Sequence, residues 1–148
     1  MRKKFLGAWK QSLLCFFIGG GAYLLIEMVW RMLYHRRSTH PIMMLPAGTV
    51  LATVWYLDDR QVNIFLNALI GMLIVVAFEL AIGLTAIHVF DTYLWDYGGI
   101  PGNFMRVVCP RWSMIWYGMC FGCILVKRMG TRLWRRLRNG GGRASLKE

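Results

Sequence analysis

The chain has 148 residues, of which 57% are hydrophobic and 14% aromatic. Charged residues make up 17% of the sequence, against about 25% in an average soluble domain, so the composition excludes an ordinary soluble globular protein. The net charge of +11 would suit a nucleic-acid partner. However, the basic residues cluster at both ends and flank apolar runs, a pattern typical of membrane borders that meet anionic lipids. We therefore predict an all-α, polytopic membrane protein that binds no nucleic acid.

The first predicted span follows a basic segment, Met1 to Gln11. The apolar residues from Ser12 to Trp30 would form about 28 Å of helix, enough to cross the hydrocarbon core of a bilayer. They contain no small-x-small cleavage site, so we expect an uncleaved span over about residues 12–34. Gly19-Gly20-Gly21 lies in its middle, where glycine allows a neighbouring helix to approach closely.

Glu27 and Arg31 lie four residues apart near the end of this span, so on a helix they share a face and can form a favourable pair. Two interpretations fit this spacing. The pair lies at head-group depth, or Glu27 faces the helix bundle and Arg31 partly neutralises it. The second interpretation makes both residues candidates for a substrate or ion pathway.

The second and third predicted spans are joined by a tight polar turn, Asp58-Asp59-Arg60-Gln61. The second span, residues 42–57, is near the short limit for crossing a bilayer, and the third, residues 62–90, is longer than a bilayer needs. The short turn between them predicts an antiparallel pair of helices.

Glu79 lies inside the third apolar run, where a carboxylate is costly and usually faces a protein interior or a wet cavity. It could carry a proton as part of a pathway. Equally, a protonated Glu79 could fasten two helices through a hydrogen bond to Asn67 or Ser113. Both interpretations stay open at this point, and Glu79 is the first candidate for function.

A polar, aromatic segment from Asp91 to Arg111 follows, and its glycines and prolines exclude one continuous helix. Its two aromatics beside Asp96 are of the kind found at head-group depth, and the Asp96 side chain could cap a turn or bind a ligand. The candidate residues of this loop are Trp95, Asp96, Tyr97, Pro101 and Asn103.

A fourth span is predicted at about residues 112–129, followed by a basic tail at residues 131–148. The tail mixes leucine and tryptophan with arginine up to Arg138, which predicts a brief amphipathic helix on the membrane surface, and it reads as disordered from Asn139. Residues 1–130 would then form one four-helix membrane domain. Four spans put both termini on one side, and the excess of basic residues there favours the cytoplasm.

The chain lacks the motifs of ATP hydrolysis and of common enzymes. It contains no G-x-x-x-x-G-K-[ST] sequence, so ATP-driven work would need a separate ATPase subunit. Its one C-x-x-C pair, Cys120 and Cys123, falls inside an apolar run without a second pair, so we interpret it as a helix-packing feature. We expect no catalytic residues, no metal site and no cofactor.

Two stretches carry a family resemblance. The segment Gly21 to Arg31 resembles the first-span signature of small bacterial membrane proteins described as Putative ABC-transporter type IV, or ABC transporter permeases. A second, longer signature is similar in order and spacing and consists of Glu79, Gly83, Trp95-Asp96-Tyr97, Pro101, Asn103, Cys109, Ser113 and Trp116. The chain departs from the family pattern at Arg106-Val107, where members carry Gly-Gln or a similar pair, and at Pro110-Arg111.

The resemblance implies a multi-pass protein of the bacterial plasma membrane. Together with the residues, it leads to the hypothesis of a permease-like or accessory transport component with Glu27, Arg31 and Glu79 in an intramembrane polar site. We expect self-association or a membrane partner, because the first and fourth spans have small-residue faces. The alternative hypothesis is a structural or regulatory membrane protein whose buried polar residues only hold helices together.

Overall fold

The computed structural model describes residues 2–34 and 40–144, and these residues form four α-helices, one 3-10 helix and no β-strand. The predicted all-helical fold is confirmed for this part of the chain. The helices are α1 (Arg2–Tyr34), α2 (Met44–Asp59), α3 (Ile64–Phe90) and α4 (Pro110–Ala144), and the 3-10 helix Pro41–Met43 leads into α2.

Side-chain caps set the starts of the middle helices. Asn63 caps α3, because its Oδ1 accepts hydrogen bonds from the backbone N–H groups of Phe65 and Leu66 at 2.9 and 3.4 Å. The helix therefore begins after Asn63 rather than at Val62. His40 caps the 3-10 helix in the same way, and its Nδ1 accepts from the Ile42 N–H at 3.3 Å.

Glycines bring α1 and α2 into close contact. A Cβ at Gly48 would lie 2.5 Å from the backbone oxygen of Phe16, and a Cβ at Gly20 would lie 2.8 Å from the backbone oxygen of Met44. Because position 16 faces 48 and position 20 faces 44, the two helices are antiparallel. The predicted close approach at the triple glycine is thus made to α2, whereas Gly21 has no neighbour within 4 Å of its hypothetical Cβ.

The other helices alternate in direction as well. On α3 and α4, Phe65 lies against Phe121 with ring centroids 5.5 Å apart, while Glu79 meets Trp116, so these two helices are antiparallel. The short turn between α2 and α3 makes that pair antiparallel too. The core lies where α2, α3 and α4 meet and consists of Val50, Val54, Ala68, Val75, Cys120 and Ile124.

Ion pairs fasten the α2–α3 turn to α4. The Asp58 carboxylate contacts Arg128 Nε at 2.6 Å and Lys127 Nζ at 3.3 Å. Lys127 also contacts Asp59 at 2.6 Å and donates a hydrogen bond to the carbonyl of Trp55 at 2.7 Å. The end of the fourth apolar run is therefore held at the same level as the polar turn.

Helix α4 continues beyond this ion-pair cluster to Ala144. The segment that was predicted to form a separate surface helix is therefore part of α4. The helix also extends beyond Asn139, where the sequence pattern predicted disorder. The described part of the extension is exposed, including Leu133, Trp134 and Leu137. The last four residues of the chain lie outside the described ranges.

The outer surface of the bundle is apolar. Large exposed side chains on α1 include Leu14, Phe17, Ile18, Leu25 and Ile26. Two helical stretches, Lys10–Leu33 and Ile64–Phe90, are long and apolar enough to cross a membrane. Helix α2 has 16 residues, fewer than the roughly 20 of an ordinary membrane-spanning helix.

Candidate functional site

Glu79 lies beyond the middle of α3 and is only 4% exposed. Its Oε1 accepts two hydrogen bonds, from the Tyr97 hydroxyl at 3.2 Å and from the Trp116 indole N–H at 3.1 Å. Its Oε2 is buried and has no hydrogen-bond partner among the described residues. One oxygen is thus held by the protein, and the other remains as an unused acceptor.

The partners suggested for Glu79 from the sequence were wrong. Asn67 uses its side-chain N–H to bond the carbonyl of Val54 at 2.8 Å, which links α3 to α2. Ser113 donates its hydroxyl to the Cys109 carbonyl at 3.1 Å, a bond within the first turn of α4. Asn67 and Ser113 donate their side-chain hydrogen bonds elsewhere, and the loop and α4 supply aromatic donors to Glu79 in their place.

Glu27 and Arg31 form the predicted pair. Arg31 donates from Nε to Glu27 Oε1 at 2.8 Å, and its terminal nitrogen lies 2.6 Å from the same oxygen. The side chains are 11% and 18% exposed, so the pair faces the protein rather than its surroundings. This geometry agrees with the interpretation in which Arg31 neutralises an inward-facing Glu27.

Tyr23 packs beside Trp116, a partner of Glu79, and sequence reasoning did not select it. Its ring lies against Trp116 with centroids 5.5 Å apart. Tyr23 also lines the same cavity as Glu79. The spacing of four residues between Tyr23 and Glu27 is the signal that could have placed it on the same helix face.

Trp95 and Tyr97 anchor the loop against the helices. Trp95 donates its indole N–H to the Val107 carbonyl at 2.8 Å, and Tyr97 stacks on Trp112 at 6.2 Å between centroids. Burial and the charge of Glu79 raise the pKa of Tyr97 above its ordinary value, so its phenol stays protonated and donates. The loop therefore reaches the buried carboxylate of Glu79 through one side chain.

Gly83 explains how the loop comes so close to α3. A Cβ at this position would collide with the Val107 side chain and lie 3.3 Å from Trp95. A glycine one helical turn after Glu79 thus leaves space for the loop residues that cover the carboxylate.

The remaining loop candidates lie away from the carboxylates and shape the turn. Asp96 accepts a hydrogen bond from the Gly98 N–H at 2.7 Å, which is the turn-capping contact predicted as one of its two roles. It also forms an ion pair with Arg106. Hydrogen bonds from Arg106 hold the pKa of Asp96 below its usual range. Asn103 bonds the Ile100 carbonyl at 2.8 Å and accepts from the Arg106 N–H at 3.1 Å.

Pro101 is exposed, and the described contacts give it no place near Glu79. Arg106 has φ +63°, in the left-handed region that favours glycine. The arginine side chain at this position turns back to Asp96 and donates a hydrogen bond to it.

A cavity of about 180 Å³ lies between the helices, next to Glu79. All four α-helices and the loop contribute to its wall, which is almost entirely apolar. Among the described residues of the wall, Glu79 is the only acidic one, and neither lysine nor arginine occurs there. Aromatic side chains of Tyr23, Trp95 and Trp116 line the same cavity as Glu79. The arrangement can hold a proton or a small, largely apolar molecule.

The described residues contain no cluster of histidine, cysteine or carboxylate side chains that could bind a metal ion. The cysteines of the C-x-x-C pair differ in their environment, since Cys120 is buried and Cys123 exposed, and both are free.

Membrane-length apolar helices, an apolar exterior and a buried ionisable site define a helical membrane protein. The chain belongs to the family described as Putative ABC-transporter type IV, whose model matches residues 14–139. It is therefore a transport-related membrane protein, and the resemblance seen in the two signatures is confirmed. No curated protein and no solved structure matches the chain.

Proposed function

We propose that the protein is a permease-like or accessory component of a transporter in the bacterial plasma membrane. Glu27, Arg31 and Glu79 form the polar side of an intramembrane site, and the Trp95–Asn103 loop closes its outer end. The observation that carries this proposal is that Glu79, which lines the central cavity, has one buried oxygen without a hydrogen-bond partner among the described residues. A buried carboxylate that serves packing alone would be expected to have both oxygens satisfied.

Four membrane-spanning helices with both ends in the cytoplasm agree with the distribution of charge. The antiparallel order puts the start of α1, the α2–α3 turn and the extension of α4 at one end of the bundle. Lys127 lies at this end and can keep its ammonium group at the head groups while the apolar part of α4 crosses the bilayer. At the opposite end, Asp96 balances Arg106, so the positive-inside rule favours the first end as cytoplasmic.

A separate ATPase partner would supply the energy for transport, because the chain contains no nucleotide-binding motif of the G-x-x-x-x-G-K-[ST] type. The exposed extension of α4 presents a basic surface on the proposed cytoplasmic side, made of Arg132, Arg135, Arg136 and Arg138. This surface suits an acidic partner or anionic lipid head groups. Gly118 and Gly122 have open space at their hypothetical Cβ positions, which suits contact with another membrane helix.

Native mass spectrometry of the protein purified in mild detergent tests the proposal. A stoichiometric ATPase subunit would support a permease role and identify the energy source. A homo-oligomer that carries only lipid would contradict an ATP-driven role and favour the alternative below.

Substitution of Glu79 tests the site itself. We expect Glu79→Gln to fold, because an amide oxygen can still accept from Tyr97 and Trp116, and to abolish transport, because the charge is lost. The measurement is the transport activity of the complex isolated above, reconstituted in vesicles. Normal activity in a folded Glu79→Gln protein would remove Glu79 from the mechanism.

The alternative is a structural or regulatory membrane protein, and the ion pairs between the α2–α3 turn and α4 favour it because they only join helices. Under this alternative, Glu79→Gln is nearly silent. Gly20→Leu would still disrupt the chain, since the added side chain would meet Met44. Gly21→Leu would act only through contacts with another chain.

A further inference from the structure

We propose that the central cavity binds a compact organic cation with an apolar body, whose charge lies beside Glu79. This inference rests on the proposed function and names the class of its substrate. It follows from the size of the cavity, the charge of its wall and the aromatic side chains around the carboxylate.

The cavity has room for a small molecule. Its volume is about 180 Å³, somewhat more than the roughly 150 Å³ of a dry apolar cavity that accepts benzene. A ligand of about ten non-hydrogen atoms is therefore a suitable size. An apolar body is required, because the wall offers very few polar groups away from Glu79.

The charge of the cavity wall favours a ligand that carries a positive charge. Glu79 is its only acidic residue among those described, and no basic side chain compensates it there. Arg31, the basic residue of the polar site, is engaged by Glu27 at 2.6 Å. A buried carboxylate without a counter-charge is costly, so a bound cation would stabilise the ionised form, whereas an anion would be repelled.

Aromatic rings favour a weakly hydrated cation over a metal ion. Tyr23, Trp95 and Trp116 line the same cavity as Glu79, and aromatic faces attract quaternary ammonium groups strongly when water is excluded. The Tyr97 hydroxyl and the Trp116 N–H both bind Oε1 of Glu79, and Oε2 has no hydrogen-bond partner among the described residues. A bare metal ion would need several oxygen ligands that the wall does not offer.

Two probes of the same shape separate charge from apolar binding. Phenyltrimethylammonium and tert-butylbenzene differ in one central atom and in charge. Binding to the purified full-length protein in detergent is measured by isothermal titration calorimetry, and we expect the cation to bind at least about tenfold more tightly. Equal affinities, tighter binding of the neutral probe, or no binding of either would overturn the inference.

Glu79→Gln then tests whether the Glu79 carboxylate accounts for the preference for the cation over the neutral probe. We expect it to weaken binding of the cation by about tenfold or more and to leave tert-butylbenzene within about twofold, so that the neutral probe also reports an intact cavity. The matched control is Asp59→Asn, which removes an exposed carboxylate at the C-terminal end of α2 and should change neither affinity. Unchanged cation binding by Glu79→Gln would contradict the role of the carboxylate. If the variant does not fold, the comparison of the two probes on the unmodified chain decides.

The result is independent of the test for an ATPase subunit. If the protein copurifies with an ATPase but binds neither probe, the inference of a cation site is contradicted and the proposed function still stands. A protein that selects the cation without any ATPase partner keeps the binding site and loses the ATP-driven role.

Discussion

Glu79 receives both of its hydrogen bonds on one oxygen, and the donors come from different parts of the chain. Tyr97 belongs to the loop and Trp116 to α4, so the carboxylate joins three elements. Loss of a hydrogen bond to a buried oxygen costs more than loss of one at the surface, because water cannot replace the donor. The loop end of the bundle therefore depends on a few side chains whose removal can be tested one at a time.

Tyr97→Phe removes one of these donors while keeping the ring. We expect the protein to fold and to lose about 1–3 kcal/mol of stability, since a buried oxygen loses a hydrogen bond and the stacking on Trp112 remains. Thermal unfolding in detergent measures the change. Tyr56→Phe is the control, because Tyr56 is exposed, and it should change stability by less than about 0.5 kcal/mol. Equal effects of the two substitutions would show that the Tyr97 bond contributes nothing.

Asp96 gives a prediction about pH. Its pKa is lowered in the folded protein by Arg106, so the ion pair stabilises the loop above the ordinary carboxyl pKa of about 3.9 and is lost as the pH falls through the lower, folded value. The amide resonance of Gly98, which donates to Asp96, should therefore stay constant from pH 7 to about pH 4 and shift only below it.

Asp96→Asn is the control for this titration. Its amide oxygen can still accept from Gly98, but it carries no charge, so the shift at low pH should disappear. A Gly98 resonance that titrates above the ordinary carboxyl pKa in the unmodified protein would contradict the stabilising role of Arg106.

The sequence was sufficient to predict that Glu79 is buried and that Glu27 pairs with Arg31, because a charge in an apolar run and helical spacing are local signals. The partners of Glu79 were not predictable in the same way. Asn67 was a poor choice since it lies twelve residues away on the same helix, about 18 Å along its axis. Tyr97 and Trp116 meet Glu79 only because three elements pack together, and that packing depends on contacts between distant segments.

At the level of elements, apolar runs predicted the four helices but misplaced some of their ends. The end of an apolar run marks the edge of a membrane span, and helix formation can continue beyond it. Residues 127–138 contain many arginines and leucines, which favour helix, so α4 passes through the ion pairs of Lys127 without interruption. In contrast, the N-terminus of α3 was predictable to within two residues, because a capping asparagine stands there.

The α1–α2 contact predicts opposite effects for two glycine substitutions. Gly48→Ala should destabilise the protein by about 1–3 kcal/mol, because its Cβ would lie 2.5 Å from the Phe16 backbone oxygen. Gly21→Ala should be neutral or stabilising by up to about 1 kcal/mol, since it gains helix propensity and meets no atom within 4 Å.

Thermal unfolding of both variants in the same detergent provides the measurement. Both variants replace a helical glycine by alanine, so the gain in helix propensity is the same in each. The difference in stability between the variants therefore reports the close contact at Gly48 alone. Equal stabilities would mean that α1 and α2 are not in contact at Gly48.

For the whole molecule, the alternation of four antiparallel helices separates two ends of different character. One end contains the ion pairs of Asp58 and Asp59 with α4 and leads into the basic extension. The other contains the loop that covers Glu79. In the proposed function, a substrate reaches Glu79 from one side of the membrane. This requires that all four helices cross the bilayer, so the number of membrane spans decides whether the proposal holds.

Accessibility of single cysteines tests the four-span arrangement. In a chain whose native cysteines are replaced by serine, Thr92→Cys places a thiol on the exposed loop, and Asn139→Cys places one on the exposed extension of α4. A membrane-impermeant maleimide added to intact spheroplasts should label the loop position and spare the extension, because four spans put these segments on opposite sides. Inverted vesicles should give the reverse pattern, and detergent should expose both thiols equally. Labelling of both positions from the same side would exclude α4 as a membrane span and would leave the Glu79 cavity without a wall inside the bilayer.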